Sequence, residues 1–337
     1  MEDVLIYGAG SFGTCLGNHL AKKGHPTLLA SSTLQTVDCI NKTRQHPKFF
    51  SDITLHDNLQ VIHEDDLISS KMPETIILAV PTKAIREKCQ KFHHELQSSK
   101  ALVSASKGIE QNTHMTPTKI IASALGNLSS EIENKTVVLS GPSFAIEIMQ
   151  NMPTCVSIAS LNPTIGQMIQ SLFHTPNFRC YTSQDPLGLE IAGAMKNIIA
   201  IASGACHGLG FGTNSQAALI TRGLAEISRV GVALGANPLT FTGLGGVGDL
   251  FLTCNSQKSR NFRVGYYLAK GSDLESTKIK IGSTAEGLYT TKSVKSLSDN
   301  LKIDAPITNA VFDVIYNSEN IHDVVLSLLN RDSKPEM

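Results

Sequence analysis

One lysine stands alone in a long apolar stretch. In 190-EIAGAMKNIIAIASGAC-206, Lys196 is the single charged residue between Ile191 and Cys206. An ammonium resists leaving water, so such a lysine either lays its stem on apolar surface with its head in solvent, or is held there for its proton. Farther along, 249-DLFLTCNSQKSRNFR-263 supplies an acid and a cationic helix start. Asp249 reads either as a helix cap or as a buried partner for Lys196. Ser259 reads as the N-cap of a helix that Arg260 and Asn261 begin. A serine, an arginine and an asparagine at a helix N-terminus make a receptor for phosphate or carboxylate, although the same triplet can be a capped surface helix with a solvated arginine. Near the start, Gly8-Ala9-Gly10-Ser11-Phe12-Gly13 spells GxGxxG.

The surrounding elements give that glycine motif its meaning. A short apolar strand, Val4–Tyr7, leads into it, a helical stretch over 14–23 follows and stops at Gly24, and a second strand resumes at Thr27–Ala30. Strand, glycine turn, helix and strand form a dinucleotide-binding unit. Gly8 permits the tight turn, Gly10 lets backbone approach a pyrophosphate, Gly13 lets helix pack on strand, and the helix N-terminus faces the phosphates. Further strands are expected at Thr75–Val80, Leu102–Ala105, Thr136–Leu139, Cys155–Ala159 and Phe178–Tyr181, with helices over 84–96, 116–125 and 164–173 between them. This alternation implies an α/β Rossmann domain, a doubly wound and mainly parallel sheet with helices on both faces. Three strand ends carry unusual residues: Val80-Pro81, Ser106-Lys107-Gly108 and Ser140-Gly141-Pro142-Ser143. In an open α/β sheet the ligand crevice lies at the carboxyl ends of the strands, so these three are expected to line one site.

After Asp185 the alternation stops and helical stretches dominate, over 187–206, 214–234, 260–269, 284–297 and 305–316. The expected organisation is therefore a Rossmann domain over 1–185 and an all-α domain over 186–337. Gly243-Leu-Gly245-Gly-Val-Gly248 is a second literal GxGxxG, but no convincing strand precedes it, so it reads as a close backbone approach to a neighbouring helix or a ligand and not as a second nucleotide fold. Residues 208–214 read as a flexible connector, and the glycines around 204–212 as a contact with a partner or with their own domain. The tail from Arg331 to Met337 is expected to fray.

Composition narrows the class. Lys+Arg and Asp+Glu both number 29, a balance that gives no electrostatic footprint for nucleic acid or an anionic membrane. The seven cysteines are dispersed without a CxxC pair, which reads as reduced thiols in a cytoplasm. The acidic N-terminus runs straight into a strand, unlike a signal peptide, and no uninterrupted apolar run is long enough to span a membrane. The eleven histidines show no HExxH or zinc-like spacing, so no metal is expected.

Taken in order, GAGSFGT, AVPTKAIRE, SASKGIE, LSGPSFAIE, EIAGAMKNIIAIASG, NSQAALITRGLAEISRVG, GLGGVGDLFLTCNSQKSRNFRVG and AEG resemble the NAD(P)-dependent glycerol-3-phosphate dehydrogenases, particularly the bacterial soluble type, over residues 4–320. That family interconverts dihydroxyacetone phosphate and sn-glycerol 3-phosphate, the backbone of glycerophospholipids. Its members are commonly dimeric and pair an N-terminal Rossmann domain with an α-helical C-terminal domain. By matching motif, the resemblance places Ser11 and Phe12 on the cofactor side of the glycine turn, and Lys107 at both cofactor and substrate. It places Gly141 and Ser143 at the substrate, Ala145 at the cofactor, and Lys196 as the proton acceptor in alcohol oxidation. It puts Asp249, Ser259, Arg260 and Asn261 around the substrate, Arg260 also near the cofactor, Glu286 at a late cofactor contact, and Asn197 and Thr253 in the polar lining.

The implied mechanism answers the question that Lys196 poses. Reduction of the ketone creates an alkoxide that needs a proton, which Lys196 donates; in oxidation its neutral amine removes it. Desolvation and the like charge of Lys107 would loosen the proton, whereas Asp249 would hold it. The site is expected in the domain cleft. Two departures stand out. Phe12 replaces the family's usual Trp. At the end of the second strand, Ser31 and Ser32 stand where an acid would select NAD or an arginine, usual at about Ser32, would select NADP. Either cofactor remains open. The competing readings are another Rossmann-plus-helical dehydrogenase of the β-hydroxyacid or 6-phosphogluconate type, and a dinucleotide-binding sensor without catalysis.

Overall fold

The structure, a computed structural model, describes residues 4–69, 72–126, 130–282 and 284–331. The chain divides into two compact units, one made of 1–107 and 115–190, the other of 108–114 and 191–337.

In the first unit the strands are β1 (Val4–Tyr7), β2 (Thr27–Ser31), β3 (Leu59–His63), β4 (Thr75–Leu78), β5 (Ala101–Ser104), β6 (Thr136–Ser140), β7 (Thr154–Ser160) and β8 (Phe178–Ser183). They form one sheet in the order β3-β2-β1-β4-β5-β6-β7-β8. Every pairing is parallel except β6 with β7. The apolar runs are continuous because both faces are covered. Val4, Ile6, Ile77 and Val103 enter one core, while Leu5, Tyr7, Ile76, Leu78 and Leu102 enter the other. The strand order reverses between β1 and β4, the switch point at which such sheets bind ligands.

The sheet is mainly parallel as expected, with differences in detail. β3 and the helix Leu34–Thr43 were not anticipated. The helix expected over 84–96 is two helices, Thr82–Lys91 and His93–Ser98, broken at Phe92, whose φ of −115° and ψ of 38° are not helical. β7 runs antiparallel to β6, which the apolar pattern of a strand buried on both faces does not reveal.

The helix Pro186–Gly208 opens with Asp185, whose Oδ1 accepts the backbone N–H of Gly188 at 2.9 Å, and with Pro186 at its first position. Its length and composition would suffice to cross a membrane, but 89% of its most apolar window is buried inside the protein, as befits a core helix of a globular unit. The helical unit continues with Thr213–Ala233, Asp249–Cys254, Arg260–Ala269, Leu274–Ile281, Glu286–Leu301, Pro306–Tyr316 and Ile321–Leu329. The helices Leu274–Ile281 and Ile321–Leu329 lie outside the expected helical stretches, and Asp249–Cys254 begins at a residue that the sequence offers as a helix cap. Residues 108–114 belong with this unit, where Ser293 Oγ donates to the Ile109 carbonyl at 2.9 Å. The second GxGxxG lies in a kinked stretch, Leu244–Gly248, whose Gly246 is not helical (φ −92°, ψ −105°), and a Cβ on Gly246 would lie 2.2 Å from the Phe241 carbonyl oxygen. Gly246 thus serves close backbone packing. Gly204 and Gly208 face Phe262 and Tyr266 of their own unit. Arg331 pairs with Asp304 at 3.0 Å, and the rest of the tail, 332–337, lies outside the described residues.

Candidate active site

The Rossmann unit presents the glycine turn first. Gly8 has φ +116°, a backbone state that side chains resist. A Cβ on Gly13 would lie 1.9 Å from the Gly8 carbonyl oxygen, so helix Ser11–Lys22 starts hard against the strand end. Around Gly10, by contrast, a Cβ would meet nothing within 4 Å. Gly10 is the helix N-cap and no side chain caps the helix, so the first N–H groups and the positive end of the dipole are presented at an open position. Those features fit a pyrophosphate. Ser11 and Phe12 are half-buried on this first turn. Ala145 opens the short helix Ala145–Met149, and its carbonyl accepts from the thiol of Cys15 at 3.4 Å.

At the end of β2 the two serines differ. Ser31 is buried and its hydroxyl accepts the Thr33 N–H at 3.1 Å, closing a local turn. Ser32 is exposed. Of the two, only Ser32 leaves its hydroxyl outside that local turn.

The three unusual strand ends meet. Ser106 Oγ donates to the Val80 carbonyl at 2.6 Å, tying the end of β5 to that of β4. Lys107 Nζ donates to the Gly141 carbonyl at 3.3 Å, and Ser143 Oγ donates to the same oxygen at 2.9 Å, tying in the end of β6. Gly141 has φ +145°, with a Cβ position only 3.0 Å from the Val156 Cα.

The helical unit holds a second group. Lys196 Nζ donates to Asp249 Oδ1 at 2.5 Å and to Thr253 Oγ1 at 2.9 Å, and the Thr253 hydroxyl donates to the Asp249 carbonyl at 2.6 Å. Lys196 is 7% exposed, Asp249 1% and Thr253 5%, so the head of Lys196 does not reach out to solvent and the apolar-stem reading fails. Asp249 is the first residue of its helix and Gly248 is the cap; of the two roles considered, it is the lysine's partner. The carboxylate at this distance supports the ammonium against the desolvation that burial imposes.

Next to Lys196, Asn197 Oδ1 accepts from Asn261 Nδ2 at 2.9 Å, and Asn261 Oδ1 accepts the Gly287 N–H at 3.0 Å. Ser259 caps its helix, its Oγ accepting the Phe262 N–H at 3.2 Å. Arg260, at the first position of that helix, is exposed. Surrounding protein pushes its pKa below the ordinary guanidinium value, Glu286 opposing and Arg263 reinforcing the shift; an arginine remains charged regardless. Glu286 starts the helix Glu286–Leu301. No group of three or more His, Cys, Asp or Glu suited to a metal occurs among the described residues. Gly265 and His46 had no spacing signal in the sequence. Gly204 and Gly265 bring the lysine helix and the Arg260–Ala269 helix to backbone contact, and His46 sits against the glycine turn.

Comparison with known proteins decides the family. The model of the NAD-dependent glycerol-3-phosphate dehydrogenase N-terminus matches residues 3–165, and that of the same enzyme's C-terminus matches residues 185–326. The chain belongs to the NAD-dependent glycerol-3-phosphate dehydrogenase family. A glycerol-3-phosphate dehydrogenase (NAD(P)+) of Staphylococcus saprophyticus is 40% identical over 337 residues, spanning all of both chains. The crystal structure of glycerol-3-phosphate dehydrogenase from Coxiella burnetii superposes with a TM-score of 0.91 at 33% identity, covering 98% of this chain and 99% of that one. The enzyme of that name from Saccharomyces cerevisiae gives a TM-score of 0.81 at 26% identity, with 98% and 99% covered. Membership fixes the cofactor class as NAD(P) and sets aside the β-hydroxyacid and 6-phosphogluconate alternatives.

Proposed function

We propose that the chain reduces dihydroxyacetone phosphate reversibly to sn-glycerol 3-phosphate, the backbone for glycerophospholipid synthesis. Residues 1–185 serve as the NAD(P)-binding domain and 186–337 as the substrate-binding and catalytic domain. The observation that carries the reading is the buried Lys196–Asp249–Thr253 cluster in a member of this family.

Gly8, Gly10, Ser11, Phe12 and Gly13 hold the cofactor's pyrophosphate on backbone N–H groups, and Ser32 meets the ribose. Ala145, Arg260 and Glu286 complete the cofactor contacts. When bound, the reduced nicotinamide supplies the hydride that the C2 carbonyl carbon accepts. Lys196 Nζ gives a proton to the C2 oxygen in reduction and takes it back in oxidation, a role on the order of 10²–10⁴-fold in rate. Asp249 keeps the lysine charged between turnovers, and Thr253 fixes the direction of Nζ. Arg260, Asn261 and Ser259 hold the phosphate, while Lys107, Gly141, Ser143 and Asn197 orient the rest of the substrate, which is an entropic contribution. We assign the chain to the cytoplasm, in keeping with seven free cysteines, and to a homodimer, by likeness to its family.

The test is loss of reduced-nicotinamide absorbance on adding dihydroxyacetone phosphate, with NADH and NADPH at matched concentrations. Turnover establishes the reaction, and the ratio of the two kcat/KM values reports what Ser32 recognises. Cofactor binding without turnover would remove the substrate assignment and favour the dinucleotide-binding sensor.

A further inference from the structure

His46 lies in a segment without regular secondary structure, yet it is only 3% exposed and all of its ring hydrogen-bonding capacity is used. Its Nδ1 accepts two backbone N–H groups, from Lys48 at 3.1 Å and Phe49 at 3.2 Å. A nitrogen that accepts twice carries no proton, so the proton of the neutral ring sits on Nε2. Nε2 lies 3.0 Å from the carbonyl oxygen of Ala9 and therefore donates to it. Ala9 is the second residue of the glycine turn.

The carbonyl of Ala9 and the N–H of Gly10 belong to one planar trans peptide, so they point in opposite directions. Holding the carbonyl fixes where the Gly10 N–H points, and Gly10 faces open space. Donation to the carbonyl also polarises the peptide and strengthens that N–H as a donor. The same segment is anchored beyond the histidine, since Phe50 and Ile53 pack on the core cluster that Ala9 and Phe12 also touch.

We propose that His46, as a neutral imidazole protonated on Nε2, is a positioning residue for the cofactor's pyrophosphate, orienting the Ala9–Gly10 peptide from behind the glycine turn. The proposal rests on the reading of that turn as the dinucleotide site.

It carries a pH dependence. A second proton on the ring would occupy Nδ1 and break both bonds to Lys48 and Phe49. Burial, the larger cause, and the neighbouring Lys48 ammonium hold the imidazole below its ordinary value, the bond to Ala9 opposing them. Gly8 to Gly13 carry no ionisable side chain. The neutral form therefore prevails at neutral pH, and affinity for the pyrophosphate falls as the solution is acidified below the ordinary histidine value of 6.5.

The experiment is calorimetric titration with ADP-ribose, a redox-inert probe that carries the pyrophosphate, from about pH 5.5 to about pH 8. It uses the wild type, His46→Ala and His46→Gln. His46→Ala should weaken ADP-ribose about tenfold, as expected for one lost orienting hydrogen bond. Its KM for dihydroxyacetone phosphate, and its kcat at saturating cofactor, should change by less than about twofold. Glutamine can donate from its amide nitrogen and accept on its oxygen but does not titrate. His46→Gln should therefore recover most of the affinity while losing the wild type's weakening at acid pH. Wild-type affinity in His46→Ala would overturn the proposal, as would an unchanged acid limb in His46→Gln. If the alanine variant fails to fold, the glutamine comparison decides alone. Failure of the wild type itself to bind ADP-ribose would instead overturn the dinucleotide reading.

Discussion

Adding one methyl group at Gly265 should disable the site without touching a polar residue. A Cβ there would lie 1.8 Å from the carbonyl oxygen of Ile201 and 2.7 Å from the backbone nitrogen of Ala205, and one on Gly204 would lie 1.8 Å from the carbonyl oxygen of Phe262. These are backbone atoms, which no rotamer change can clear. Relief to an ordinary contact of about 3.5 Å requires the lysine helix and the Arg260–Ala269 helix to part by about 1–2 Å. Asn197 and Asn261, joined at 2.9 Å, sit on those two helices within about a turn of the collision, and Lys196 moves with its neighbour. Overpacking of this kind costs about 1–3 kcal/mol of stability, and a misplacement of about 1 Å in a positioned site costs about 100-fold in rate. Gly265→Ala should therefore melt at a lower temperature yet remain folded at 25 °C, with kcat for dihydroxyacetone phosphate reduced about 100-fold at saturating NADH. Gly212→Ala is the control, because Gly212 has φ −77° and nothing within 4 Å of its Cβ position; it should keep wild-type turnover, even where losing a glycine N-cap lowers its melting temperature. A folded Gly265→Ala protein with undiminished turnover would refute the claim that close helix packing aligns the site.

Three other perturbations separate the remaining roles. Arg260→Ala should raise the KM for dihydroxyacetone phosphate by 10-fold or more, about the worth of a charge-assisted contact, with a smaller change in NADH affinity; an unchanged KM would move the phosphate site elsewhere. Asp249→Asn withdraws the carboxylate at 2.5 Å from Lys196, so the alkaline limb of the pH–rate profile for ketone reduction should move to lower pH; a limb that stays put would detach Asp249 from the proton step. Glu190 is fully buried, and desolvation pushes its carboxyl up to about 7 against the hydrogen bonds from the Thr118 backbone N–H and hydroxyl. The folded state then holds a proton that the unfolded state has released between about pH 4.5 and about pH 7, so this residue's contribution to stability declines as pH rises through that window. Glu190→Gln should flatten that slope in thermal melts and raise the melting temperature at pH 8; melts that follow the wild type at every pH would contradict it.

Much of the Rossmann unit was legible because strands buried on both faces write themselves as apolar runs such as Thr75-Ile-Ile-Leu78. β3 was not, since this edge strand reads Leu-Gln-Val-Ile-His, short and interrupted by Gln60, with polar residues on either side. The glycine turn was legible through its flanking strand and helix, and the absence of a strand likewise exposed Gly243–Gly248 as a decoy. Lys196 could be singled out by its isolation, but whether Asp249 met it could not. The two stand far apart along the chain, and the short helix that presents Asp249 begins in a glycine run with no side-chain cap. The glycines around 204–212 signalled a contact, but not that Gly265 lies opposite Gly204, because backbone contact between helices depends on a crossing that periodicity does not encode. His46 was invisible for the same reason: a histidine in a loop has no period, and its role exists only through three backbone contacts.

The central claim is that Lys196 carries the proton. It is tested most directly by measuring kcat for dihydroxyacetone phosphate reduction in Lys196→Ala beside the dissociation constant for NADH from the same preparation. The expected result is a kcat lower by about 10²–10⁴-fold with a dissociation constant within about threefold of wild type. Near-normal turnover in a variant that binds NADH normally would contradict it and send the search for the proton donor elsewhere.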